Sequence, residues 1–201
     1  LPPGCGDNLC SESESLESCP RDCDYDVVVI VEEAIRDDLE ESLTAYLDGL
    51  ASEGYRGFIR GFAPAPVSKL RSVLTEEYVR HNIEGALLVG DLPVAWYRQF
   101  AFEAWEQFPM DIYLQDLDAV FYDDDSDGQF DRHSPLQLEI FTARLHADVQ
   151  TLTTYFERVN EFRRSGPLLE PTALVFIDDD WSHLARYYSL DSIYQSVNLV
   201  A

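Results

Sequence analysis

The stretch YDDDSDGQFDRH, residues 122–133, crowds five aspartates around one glycine. Carboxylates this dense repel one another unless a cation or basic side chains offset them. Their spacing suits a cation. Asp123, Asp125 and Asp127 fall at positions one, three and five of an EF-hand-like loop, and Gly128 falls at position six, where such a loop turns sharply. The backbone carbonyl of Gln129 takes position seven, Phe130 the apolar position eight, and Asp131 position nine. The expected ion is Ca²⁺, which accepts six to eight oxygens. The match ends at position twelve, where a bidentate Glu belongs and Ser134 stands. Because LEIFTARL after the loop reads as a strand and not a helix, the expectation is a single DxDxDG loop between strands, with Asp118 or Asp116 as its last ligand. The competing reading is a solvated acidic turn.

The four cysteines, Cys5, Cys10, Cys19 and Cys23, all lie in the first 23 residues with spacing C-x4-C-x8-C-x3-C. An even count in a short polar segment reads as two disulfides in an oxidising compartment, secreted or at the cell surface. Three connectivities are open. Zinc is the competitor, but the segment has no C-x2-C pair and no histidine. The segment resembles short CGDGxC…E…CPxDC modules of secreted bacterial proteins, and Asp7, Glu14 and Asp22 offer oxygens for a second calcium there.

To position such sites the chain has 201 residues, enough for one sizeable domain and a small appendage. The expected division is a Cys-rich module over residues 1–24 and an α/β domain over residues 25–201. With 38 acidic against 14 basic residues the formal charge is −24, which disfavours nucleic acid and anionic membranes and favours divalent cations or basic peptides. The skew toward arginine, with lysine only at Lys69, fits a GC-rich genome or salt adaptation equally. No apolar run approaches the ~20 residues of a membrane span. The chain opens at Leu1 without a leader and is expected to be a processed product or a portion of a longer one.

YDVVVIV (25–31) and EGALLVGD (84–91) are continuous apolar runs, as expected of strands buried on both faces of a parallel sheet; RGFIRGF (56–62) is a further strand. Between them, Ile35, Leu39, Leu43, Tyr46, Leu47 and Leu50 share one helical face, and Val67, Leu70, Leu74 and Tyr78 another. Gly54 reads as a helix stop. Residues 94–109 read as an aromatic insertion. MDIYLQDLD and LQLEIFTARL read as strands flanking the acidic loop. A helix is expected over 148–164, a buried strand over 172–180, a helix over 181–196, and a strand beginning at VNLVA. The alternation predicts a doubly wound, mostly parallel α/β sheet. Function in such sheets gathers at the carboxyl ends of the strands. Acids stand there at Asp91, at Asp116 and Asp118, and at Asp178 to Asp180, each equally able to cap a helix or a turn.

Several chemistries lack their motifs: there is no G-x-G-x-x-G, no Walker loop and no G-x-S-x-G elbow, and nothing positions a carboxylate pair for glycoside hydrolysis. The ordered series ALLVGDLP, PMDIYLQDLD, DDDSDGQFD, LEIFTARL and YFERVNEF does resemble the gingipain-type cysteine peptidases. The resemblance covers about residues 25–180 and implies a caspase-like, Rossmann-type α/β fold with a catalytic His and Cys after successive strands. Arg144 matches the family's V-G-R pattern, whereas Ala143 stands where its glycine belongs. No catalytic residue carries over. Every cysteine precedes the sheet, and His81, His133, His146 and His183 all lie outside the family's strand-end context. The resemblance therefore implies a non-catalytic N-terminal part of a secreted, calcium-binding peptidase. Its partner is a C-terminal catalytic part beyond Ala201, and its substrates include basic peptides. The alternative is a free-standing calcium-binding α/β module for adhesion or interaction.

Overall fold

The computed structural model describes residues 5–6, 10–11, 13–166, 172–176 and 196–200. These belong to two compact units, Leu1–Glu157 and Arg158–Ala201.

The first unit is built on a four-stranded, all-parallel sheet. Its strands are β1 (Val27–Glu32), β2 (Gly57–Phe62), β3 (Gly85–Val89) and β8 (Phe141–Leu145), in the order β2-β1-β3-β8. The helices α2 (Arg36–Ser52) and α3 (Val67–His81) flank it, as do residues 149–157 of α5 (Val149–Ser165), with a 3-10 turn at Glu33–Ile35. Val29 and Val31 of β1 and Leu87 and Val89 of β3 meet Leu39, Leu43, Leu152 and Phe156 on one face. On the other face, Val28, Ile30, Ala86 and Leu88 meet Leu70, Val73 and Leu74. Successive strand residues point to opposite faces, so a strand covered on both sides must be apolar throughout. That is why β1 and β3 read as unbroken apolar runs. Each fully buried leucine here contributes about 1.5–3 kcal/mol. The mixed α/β, doubly wound architecture expected from the alternation is the one observed.

Helix ends follow local chemistry. After α2, Gly54 sits at φ +94°, a left-handed conformation that glycine adopts without penalty. Asn82 closes α3 at φ 54° and returns its N–H to the Tyr78 carbonyl.

Two expectations are corrected within this unit. MDIYLQDLD is not a strand; it contains the short helix α4 (Ile112–Gln115). Met110, Tyr113 and Leu114 are buried while Ile112 is 36% exposed, a three-and-four spacing that belongs to a helix. In LQLEIFTARL only Phe141–Leu145 forms a strand, because Gln137 and Glu139 are held by side-chain contacts to residues 116–117 instead of a ladder. The aromatic insertion is a β-hairpin of β4 (Trp96–Ala101) and β5 (Ala104–Pro109), turned at Phe102 and Glu103 with positive φ.

The N-terminal module carries a four-residue helix, α1 (Pro20–Cys23), and two disulfides, Cys5–Cys19 and Cys10–Cys23. It is tied to the sheet at the edge where the strands begin. The Tyr25 N–H donates to the His81 carbonyl, and the His81 ring sits 3.1 Å from the Cys23 carbonyl through Nδ1. Intact-mass analysis of unreduced protein should therefore show a chain about 4 Da lighter than the fully reduced form, since each bridge removes two hydrogens. Non-reducing peptide mapping should recover the 5–19 and 10–23 pairs. Alkylatable thiols or another pairing would contradict the structure.

In the second unit β9 (Thr172–Phe176) and β10 (Ser196–Val200) pair in parallel. The acids expected at 178–180, residues 181–195 of the helix expected over 181–196, and Asp7 lie outside the described residues; Ser196 begins β10.

Candidate metal centre

The acidic stretch is the tip of a hairpin. Its stem is β6 (Phe121–Tyr122) and β7 (Arg132–His133), antiparallel, with Tyr122 opposite Arg132. Ser134, at the position where an EF-hand carries its glutamate, extends the stem: its N–H donates to the Val120 carbonyl and its Oγ accepts the Val120 N–H. Phe130 anchors the tip. Its ring stacks on Tyr113 at 4.7 Å, and its backbone bonds β4 twice, to the Trp96 carbonyl and from the Arg98 N–H.

Within the tip, both oxygens of Asp123 accept backbone N–H groups, from Asp127 at 3.1 Å and Gly128 at 3.0 Å. Asp131 accepts the Asp124 N–H at 2.8 Å. Gly128 turns the chain at φ +88°, and Ser126 also has positive φ. A side chain at 128 would meet no steric obstacle, so glycine is required there by conformation. The result gathers Asp123, Asp125 and Asp131, with one carboxylate oxygen from each within 4.8 Å of the others. Such a cluster can hold a metal ion, and its all-oxygen donor set suits hard cations.

The other acids of the stretch face elsewhere. Asp124 forms a two-pronged pair with Arg132 at 2.7 and 2.9 Å, and those hydrogen bonds hold its carboxyl below the usual carboxylate range. Asp127 accepts from Arg98 at 3.0 Å and from the backbone and side-chain amide of Gln129. Of the expected ligand side chains, the structure thus brings together Asp123, Asp125 and Asp131, and gives Asp127 to Arg98 and Gln129. Asp118 stands in a second cluster with Asp116 and Glu139. There Asp116 is fully buried and accepts the Ala119 and Gln137 N–H groups, while Glu139 accepts the Leu117 N–H. Those carboxylates act as internal ties between two loops.

Sequence reasoning missed Arg98 and Glu139. Both reach their sites from elements more than twenty residues away, and neither sits in a recognisable spacing. It also gave no partner for Arg144. From the end of β8, Arg144 holds Asp111 at 2.8 Å and the carbonyls of Leu92 and Pro93 at 3.0 and 3.4 Å. The Arg144→Ala variant should lose about 2 kcal/mol in urea unfolding, because it strands a carboxylate and two carbonyls together. Lysine should recover only part, lacking the planar fork. An unchanged urea midpoint would show the pair to be idle. At the same sheet end, the Asp91 N–H donates to Glu32 at the close of β1, and Gly90 (φ +94°) lies where a Cβ would meet the Glu32 side chain at 2.7 Å.

No candidate span of about eighteen apolar helical residues occurs among the described residues. Comparison with family models, with curated proteins and with solved structures returned no match to this chain.

Proposed function

We propose that this chain is the non-catalytic, calcium-binding N-terminal portion of a secreted gingipain-type cysteine peptidase. The observation that carries the reading is the way its dispersed motifs interlock. Arg144 of LEIFTARL grips Asp111 of PMDIYLQDLD and the Leu92 and Pro93 carbonyls of ALLVGDLP. Glu139 of LEIFTARL accepts the Leu117 N–H of PMDIYLQDLD, and Asp116 of PMDIYLQDLD accepts the Gln137 N–H just ahead of LEIFTARL. Residues that carry a chance resemblance need not meet; these do, around Arg144 at the carboxyl end of a parallel sheet and around Glu139 just before β8 begins. The two disulfides fit a secreted protein.

Calcium is the cation that best fits the hairpin. Three carboxylates, a glycine turn and an apolar anchor reproduce the first part of a calcium loop, and Ca²⁺ tolerates the irregular oxygen geometry that Mg²⁺ rejects. Bound there, the ion would lock the tip against β4 and so steady the chain that follows β3. The acidic rim favours basic peptide side chains.

A second reading, a free-standing adhesion or interaction module, draws on the exposed aromatics of the adjacent hairpin. Phe102 is 88% and Trp105 61% exposed. The test is the reading frame beyond Ala201, expressed together with this portion. The peptidase reading expects a strand ending in His-Gly, a later strand ending in Cys, and hydrolysis of basic peptide substrates that a thiol alkylator blocks. A stop codon after Ala201, or an extended product without alkylator-sensitive hydrolysis, would favour the module. The 201-residue chain alone should be inactive on either reading.

A further inference from the structure

We infer that the N-terminal disulfide module holds a calcium ion of its own, with Glu14 and Asp22 as its charged ligands. Both acids are buried beside the disulfides: Glu14 is 6% exposed and Asp22 0%, next to Cys19 and Cys23 at 0%. One carboxylate oxygen from each lies within 4.8 Å of the other and of the Cys5 and Cys19 sulfurs. Those sulfurs are joined to each other, so no thiolate is present to select a soft metal. What remains is a pair of hard oxygen donors.

The second observation is an orphan. Glu14 Oε2 accepts the Ser11 N–H at 2.9 Å, but Oε1 is buried without any hydrogen-bond partner among the described residues. A buried carboxylate oxygen without a hydrogen-bond partner is costly, and native structures rarely leave one. Its position explains it: Glu14 faces a second buried carboxylate, and two like charges at this distance destabilise each other unless a cation stands between them. The Asp22 carboxylate is oriented from the other side, with Oδ2 accepting the Gly6 N–H at 2.6 Å. Main-chain carbonyls around the module are meanwhile held by arginines, those of Asp22 and Asp24 by Arg56 and that of Ser11 by Arg80. The acids are thus held in place from several directions, as a preformed ion site requires. The two clusters share no residue.

The experiment counts calcium on the 201-residue chain by equilibrium dialysis with labelled Ca²⁺ at millimolar free concentration. In a variant carrying Asp123→Asn, Asp125→Asn and Asp131→Asn, which removes the hairpin carboxylates, one ion per chain should remain. Adding Glu14→Gln should abolish it, with both disulfides intact by non-reducing mass analysis. No bound calcium in the triple variant overturns the inference, as does an ion that survives Glu14→Gln. If Glu14→Gln does not fold, Glu14→Asp takes its place. It keeps the charge on a shorter stem and should weaken the remaining ion at least tenfold; an unchanged Kd overturns the inference equally.

Discussion

The hairpin ion alone should raise the melting point in millimolar Ca²⁺ about 10 °C above its value in EGTA, and Asp125→Ala should remove most of that contribution. An ion that binds only the folded state stabilises it by RT ln(1 + [L]/Kd), so millimolar calcium over a micromolar site contributes about 4 kcal/mol. For a chain of this size each kcal/mol moves Tm by roughly 2–4 °C. Asp125 is one of three carboxylates that converge at the hairpin tip, and losing it takes away a third of the local negative charge. Asp124, its neighbour, is engaged by Arg132 instead. Asp124→Ala should therefore leave the calcium increment in place. Equal increments in wild type and Asp125→Ala would reduce the tip to a solvated acidic turn whose charges Arg98 and Arg132 already offset.

Asp116→Ala should cost about 4 kcal/mol in chemical denaturation. The carboxylate is completely buried and accepts two backbone N–H groups, from Ala119 at 2.8 Å and Gln137 at 2.7 Å. Removing it strands both donors, each at about 1–3 kcal/mol. Asn should lose less, since it keeps one acceptor oxygen. The loss should be the same in EGTA and in calcium, because Asp116 ties loops together and is separate from the hairpin cluster. A penalty below 1 kcal/mol would contradict the tie, and one that appears only with calcium would move Asp116 into the ion site.

Much of the sheet was legible because burial on both faces leaves an unmistakable run of apolar residues; VVVIV and ALLV admit little else. Residues 110–115 were misread for a physical reason. Met110, Ile112 and Leu114 alternate as a strand would, and only burial reveals that Tyr113 and not Ile112 turns inward. The β4–β5 hairpin escaped notice because its large side chains, Trp96, Phe100 and Trp105, are exposed, so no alternation between core and solvent marks it. In the acidic stretch, the turn at Gly128 and the anchor at Phe130 follow from residue type. Which carboxylates converge does not. Asp127 and Asp118 fit the spacing as well as Asp131 does, but Arg98 claims the first from a distant strand, and the loop of Glu139 claims the second. Likewise the cysteine spacing implies two bridges without choosing among three pairings.

The central claim, a calcium ion clasped by the tip of the acidic hairpin, is tested most directly by the anomalous difference map of a crystal grown in Ca²⁺. The account expects a peak between Asp123, Asp125 and Asp131 with carboxylate oxygens at about 2.3–2.6 Å, and Asp124 still on Arg132. A map without that peak, its three carboxylates bonded only to backbone and arginine, would contradict it.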